Sequence, residues 1–169
     1  MDVLRFSFIK SSSNYKRRVP KNLALTLQQL IETPIEAPLV PTELFEEVEF
    51  LLSFYEKKPR DRQLLVRIYR WYAHAHEKDG NFGLAQIYFD KALRQAEHMR
   101  DSQLILEILT DQGNLFLTLN LPERAYVYFT RGKTLCRSQK IPIPTGIACG
   151  YTQTLLALKK EDQARHFLE

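Results

Sequence analysis

No stretch of the chain stays apolar for the roughly 20 residues that a membrane-spanning helix needs, so no membrane insertion is expected. Cysteine is scarce: only Cys136 and Cys149 occur, and they lack metal-ligand spacing. Two reduced, half-buried thiols in a cytosolic protein are therefore expected rather than a disulfide framework. The sequence has no Gly-rich phosphate loop, no Gly-x-Ser-x-Gly and no His-Glu-x-x-His. That leaves no catalytic residues to nominate, no cofactor and no enzyme class. His74 and His76 stand two apart on a helical stretch and point about 200° from each other, so they cannot share a metal ion. Sustained period-two alternation is missing too, and no sheet is expected. The start of the chain lacks the long apolar segment of a secretory signal.

What is present is unevenly charged. The net charge is +4, yet Met1 to Lys21 alone carries +5 through Arg5, Lys10, Lys16, Arg17, Arg18 and Lys21 against Asp2. The remainder is near neutral. Residues 1–21 read as a flexible, solubilising basic arm; the alternatives are an organellar transit segment or a contact to nucleic acid through Tyr15-Lys16-Arg17-Arg18. Glu43, Glu46, Glu47 and Glu49 form an acidic run at a helix start, where the helix dipole favours them.

Helical periodicity fills the rest. Asn22 to Thr33 is short, and the three prolines Pro34, Pro38 and Pro41 force an extended link after it. Thr42 caps a helix to about Lys57, with Leu44, Phe45, Val48, Leu51, Leu52 and Tyr55 on its apolar stripe. Helices are then predicted over Arg62 to Lys78, Phe82 to Met99, Gln103 to Leu119, Glu123 to Ser138, Thr145 to Lys159 and Asp162 to Glu169. Asp79-Gly80-Asn81 and Asn120-Leu121-Pro122 are turns, and Ile141-Pro142-Ile143-Pro144 breaks the pattern. The class is all-α.

These helices repeat. Ala85-x-x-x-Phe89-x-x-Ala92 returns as Ala125-x-x-x-Phe129-x-x-Gly132, and Ala164 with Phe167 and Leu168 begins it again, at spacings of 40 and 39 residues. Small residues let helices approach, and the phenylalanine four residues on fills the wedge. In the preceding helices a small residue recurs seven before the turn: Ala73 before Gly80, Gly113 before Asn120, Thr152 before Lys159. Tyr72, Gln112 and Tyr151 precede these, and Tyr69, Leu109 and Ala148 stand four before.

From Leu64 to Leu168 this pattern resembles the tetratricopeptide repeat family, Trp-x-x-Leu-Gly-x-x-Tyr followed by Ala-x-x-x-Phe-x-x-Ala, in its subgroup with repeats near 40 residues. The proline that usually closes a repeat is missing after Leu93, and the third copy is weak in its first helix and short in its second. The resemblance implies an antiparallel helix-pair stack, an α-solenoid with a right-handed superhelix. Residues 22–60 would be N-terminal helices, either a cap or a degenerate leading repeat in which Leu44, Val48 and Leu51 take the signature places. Residues 61–169 would hold repeats at about 62–100, 102–140 and a partial 144–169.

The resemblance further implies a concave, protein- or peptide-binding face on the first helix of each pair. It maps onto Arg67, Arg70, His74, Glu77 and Lys78, then Glu107, Thr110, Asn114, Leu117 and Thr118, then Gly146, Cys149, Gln153, Leu156 and Ala157. Arg67, Arg70 and Lys78 would make one end basic, suited to a carboxylate or acidic peptide, while Asn114 and Gln153 could hold a peptide backbone. Arg67, Arg70, His74, Lys78, Thr110, Asn114 and Gln153 are thus the candidate site. The family's carboxylate clamp is not matched: His74 and Asp111 stand where Asn is expected, and Gly146 and Gly150 replace the last two cations. The expected role is a cytoplasmic, non-catalytic scaffold for another protein or peptide. The alternatives are a ligand-sensing module whose arm contacts nucleic acid, or homo-oligomeric assembly through an apolar edge left by the short third copy. Leu168-Glu169 also resembles the two residues that often precede a purification tag, which leaves the natural end of the chain open.

Overall fold

A computed structural model describes residues 61–168 together with Val48, Glu49, Leu52, Ser53 and Glu56 of the preceding stretch. The basic arm, the helix expected over Asn22 to Thr33 and the proline-bearing link lie outside the described residues. Among the described residues every regular element of more than one turn is an α-helix: α1 Arg62–Lys78, α2 Phe82–Met99, α3 Ser102–Thr118, α4 Pro122–Gln139, α5 Thr145–Ala157 and α6 Glu161–Leu168. The boundaries fall within a residue or two of those read from the sequence. No helix among the described residues is long and apolar enough to cross a membrane.

Local chemistry sets the helix ends. The side chains of Asp61 and Asp101 accept the backbone N–H of Leu64 and Leu104 and so cap α1 and α3. Pro122 opens α4, where its missing N–H costs nothing. The ends of α1 to α5 are each closed by a residue in the left-handed conformation: Gly80, Arg100, Asn120, Lys140 and Lys159. The next residue's N–H then reaches back five positions, as Asn81 to His76 and Leu121 to Phe116, both at 2.8 Å. Only Gly80 takes that conformation without crowding a Cβ.

Three-residue turns join α1 to α2, α3 to α4 and α5 to α6, short enough to fold each second helix back along the first. The closest packing runs along the chain, α1 on α2, α2 on α3, α3 on α4 and α4 on α5, with α3 also meeting α5 directly. The second helices bury a single stripe, Ala85, Phe89, Ala92 and Ala96 in α2 and Ala125, Phe129, Gly132 and Cys136 in α4. The first helices are buried more broadly, and in α1 Val66, Ile68, Tyr69, Trp71, Ala73 and Ala75 are all in the core. Val48 and Leu52 from the preceding stretch are buried as well.

Two polar contacts recur with the repeat. The hydroxyl of Tyr72 donates to Glu49 at 3.1 Å, and 40 residues on the amide of Gln112 donates to Asp90 at 2.7 Å. Lys91 pairs with Glu56 at 3.0 Å, and 40 residues on Arg131 pairs with Glu97.

The glycines mark where helices come closest. The ring edge of Phe129 sits against both Gly113 of α3 and Gly150 of α5, so that a Cβ at either place would run into it. Gly132 similarly admits the δ-methyl of Ile147, which a Cβ would approach to 2.6 Å. Gly150→Ala is expected to destabilise the fold by about 1–3 kcal/mol through overpacking. In a Phe129→Leu background the added loss should be smaller, because the two sites share one contact. Urea denaturation of the four proteins checks this; equal losses in both backgrounds would contradict the seating of Phe129.

Candidate functional site

The candidate site is the set of positions on α1, α3 and α5 that the repeat resemblance picks out. Along α1 these are Arg67, Arg70, His74, Glu77 and Lys78; along α3, Glu107, Thr110, Asn114, Leu117 and Thr118; along α5, Gly146, Cys149, Gln153, Leu156 and Ala157. Every one is exposed or half-buried, while their neighbours toward the second helices are buried. The series runs from ionic on α1 to small and apolar on α5.

The ionic end is internally paired. Arg70 donates from Nε to Asp111 at 2.7 Å and from Nη1 to Glu107 at 2.5 Å. His74 places Nδ1 at 3.2 Å from Glu77 and Nε2 at 3.5 Å from Asp111. Five ionisable side chains from α1 and α3 thus form one cluster across the joint between consecutive pairs. Burial opposes the charge on His74, but its hydrogen bonds to Asp111 and Glu77 and their negative charges outweigh it and raise the pKa to about 9. Burial likewise works against ionised Asp111, yet the His74 and Arg70 contacts hold it below the usual carboxylate range. Gly150 stands 39 residues after Asp111, where Phe129 leaves no room for a side chain, so the cluster has no counterpart in the third pair.

Beside this cluster a cleft of about 680 Å³ opens between α3, the Lys140–Pro144 link and the start of α5. Its charged wall is Arg70, Glu107 and Asp111; its apolar wall is Leu106, Ile141, Pro142 and Pro144, with Thr110 and Gly146 between. The closeness of α3 and α5 depends on Gly146, since a Cβ there would stand 2.8 Å from the Thr110 methyl.

Of the candidate residues, Arg70, His74 and Thr110 are brought together, the first two on Asp111 and the first and third in the cleft wall. Arg67, Lys78, Asn114 and Gln153 are exposed on the same three helices and do not line the cleft. Of the three cations expected to make one end basic, Arg70 is committed to two carboxylates, while Arg67 and Lys78 are exposed. Of the two thiols, Cys136 is buried and Cys149 exposed, rather than both half-buried. His74 and His76 do lie in different surroundings, the first against Asp111 and the Phe89 ring, the second stacked on Tyr88. The wall formed by Ile141, Pro142 and Pro144 was legible only as a helix break. No family model matches the chain, and no curated protein does.

The folded pKa of His74 lies above the unfolded value near 6.5, so its charge stabilises the fold fully below about pH 6.5. That contribution fades as pH rises through about 9. An NMR titration should place the His74 midpoint near 9, and the urea-midpoint gap between wild type and His74→Gln should narrow across that window. A midpoint near 6.5, or a gap that does not change with pH, would contradict the cluster.

Proposed function

We propose that this chain is a non-catalytic protein- or peptide-binding module, a tetratricopeptide-like stack of antiparallel helix pairs forming a right-handed solenoid. It takes an extended segment of a partner protein along the face of α1, α3 and α5. The observation that carries this reading is that face itself: the first helix of each pair contributes uncovered side chains at equivalent positions, with a cleft opening beside them. Repetition of whole contacts supports the stack. Tyr72 with Glu49 and Gln112 with Asp90 are the same interaction one period apart, as are Lys91 with Glu56 and Arg131 with Glu97. A stretch that meets α1 and α2 as α2 meets α3 and α4 is best read as the second helix of a degenerate leading repeat. That would supply the neighbour which a short array needs for stability. Two free thiols, one exposed, suit a reducing cytoplasm.

Side chains that hold a peptide without chemistry contribute through hydrogen bonds to its backbone, where an amide can both donate and accept. Asn114 and Gln153 are exposed amides that suit this role, and Arg67 adds an exposed cation. A random-peptide display library panned against the immobilised chain should yield binders. Their affinity, read by fluorescence anisotropy, should fall by about tenfold or more in the Arg67→Ala, Asn114→Ala, Gln153→Ala variant, given about 0.5–1.5 kcal/mol per lost contact. The melting temperature should hold, because all three side chains are exposed. Peptides that bind the triple variant as tightly as the wild type would remove the face from consideration.

A further inference from the structure

The cleft beside α3 and α5 has a chemistry of its own. Its lining contains one cation, Arg70, and two carboxylates, Glu107 and Asp111. Arg70 already bonds both, so a ligand carboxylate arriving there would meet two like charges and a guanidinium whose field is spent. With His74 protonated, the cluster holds two cations against the three carboxylates Glu77, Glu107 and Asp111, which leaves one negative charge in surplus for a ligand cation to meet. Glu107 is the member that reaches solvent: its side chain is 39% exposed, against 14% for Asp111, so it is the carboxylate a ligand can touch.

Hydrogen-bonding capacity points the same way. The hydroxyl of Thr110 donates to the Leu106 carbonyl at 2.8 Å, which leaves only acceptor capacity for the cleft. Pro142 and Pro144 have no N–H, so the link that forms the far wall is short of donors. Donors line the cleft too, in Ser102, Gln103 and Gln139, but a group that meets Glu107 and Thr110 has to donate, as the lysine ammonium and the arginine guanidinium do. Both carry aliphatic stems that bury well against apolar walls while the head stays wet. Leu106, Ile141 and Pro142 offer such a wall, and about 680 Å³ is room for a long side chain and a neighbouring aliphatic residue.

We infer that this cleft takes a lysine or arginine of the partner peptide, its stem against Leu106, Ile141 and Pro142 and its cation at Glu107, with an aliphatic residue beside it. This rests on the reading of the α1, α3 and α5 face as a peptide-binding surface, and it names the chemistry of the segment bound. The specificity is opposite to that expected from counting Arg67, Arg70 and Lys78 along the sequence.

Gln103, whose amide donates to Glu107 at 3.5 Å, gives a test that leaves the pairs of Asp111 with Arg70 and His74 intact. It lies in the first turn of α3, is exposed, and lines the cleft with Glu107 one turn away. Binders selected by the peptide library should be enriched in Lys or Arg next to an aliphatic residue. Gln103→Glu should tighten those binders and Gln103→Lys should weaken them, each by up to about fivefold at low salt and less as salt screens the charges. Selected peptides that instead carry Asp or Glu, or affinities indifferent to both Gln103 variants, would overturn the cleft's specificity while leaving peptide binding by the face in place. A library that yields no binder would overturn the peptide-binding reading and this inference with it.

Discussion

The ring of Phe129 touches two helices at once. It reaches from α4 to the bare backbone of Gly113 in α3 and of Gly150 in α5, and much else follows from that contact. Within a pair, the small residue of the first helix and the phenylalanine of the second set how near the two axes run. Between pairs, the same ring meets Gly150 and brings α5 against α3, where Gly146 sits over the Thr110 methyl. Helices α3 and α5 therefore adjoin. A larger residue at Gly113 or Gly150 would push these helices apart and widen or erase the cleft that the Lys140–Pro144 link helps to enclose. The interior is dense enough that such a change is felt beyond its own site.

Against this apolar joint stands a polar one. Between α1 and α3 the contact is made by Arg70, His74, Glu77, Glu107 and Asp111, all at least partly shielded from water. Such a cluster adds less stability than its distances suggest, because each charge must first be desolvated. Its firmer consequence is positional: Arg70 and His74 of one pair are each tied to a carboxylate of the next.

Much of the architecture could be read from the residues. The small residues seven before each turn, and the Ala-x-x-x-Phe pattern after it, fixed both the pairing of helices and the period, because those positions answer to packing that any such pair needs. Helix ends were legible where a cap or turn has a specific chemistry, as at Asp61, Gly80 and Pro122. The site was less legible. Position alone places Arg70 and His74 on the uncovered face, but ion pairing across a joint depends on which acids the next helix presents, and in the sequence Asp111 is only a departure from a family pattern. The apolar wall of the cleft comes from a link whose prolines announce where a helix stops and say nothing of what the link packs beside. The contacts of Glu49 and Glu56 are a further instance: both residues are exposed, yet Glu49 accepts from Tyr72 and Glu56 pairs with Lys91, partners that no spacing in the sequence announces.

The central claim is that the uncovered residues of α1, α3 and α5 form the working surface of this chain. Its most direct test is the amide NMR spectrum of the isotope-labelled protein titrated with a library-selected peptide. The account predicts that the largest shifts fall on Arg67, Thr110, Asn114 and Gln153, with Ile87 and Val127, exposed on α2 and α4, unmoved. Shifts concentrated at Ile87 and Val127, with the first helices silent, would contradict it.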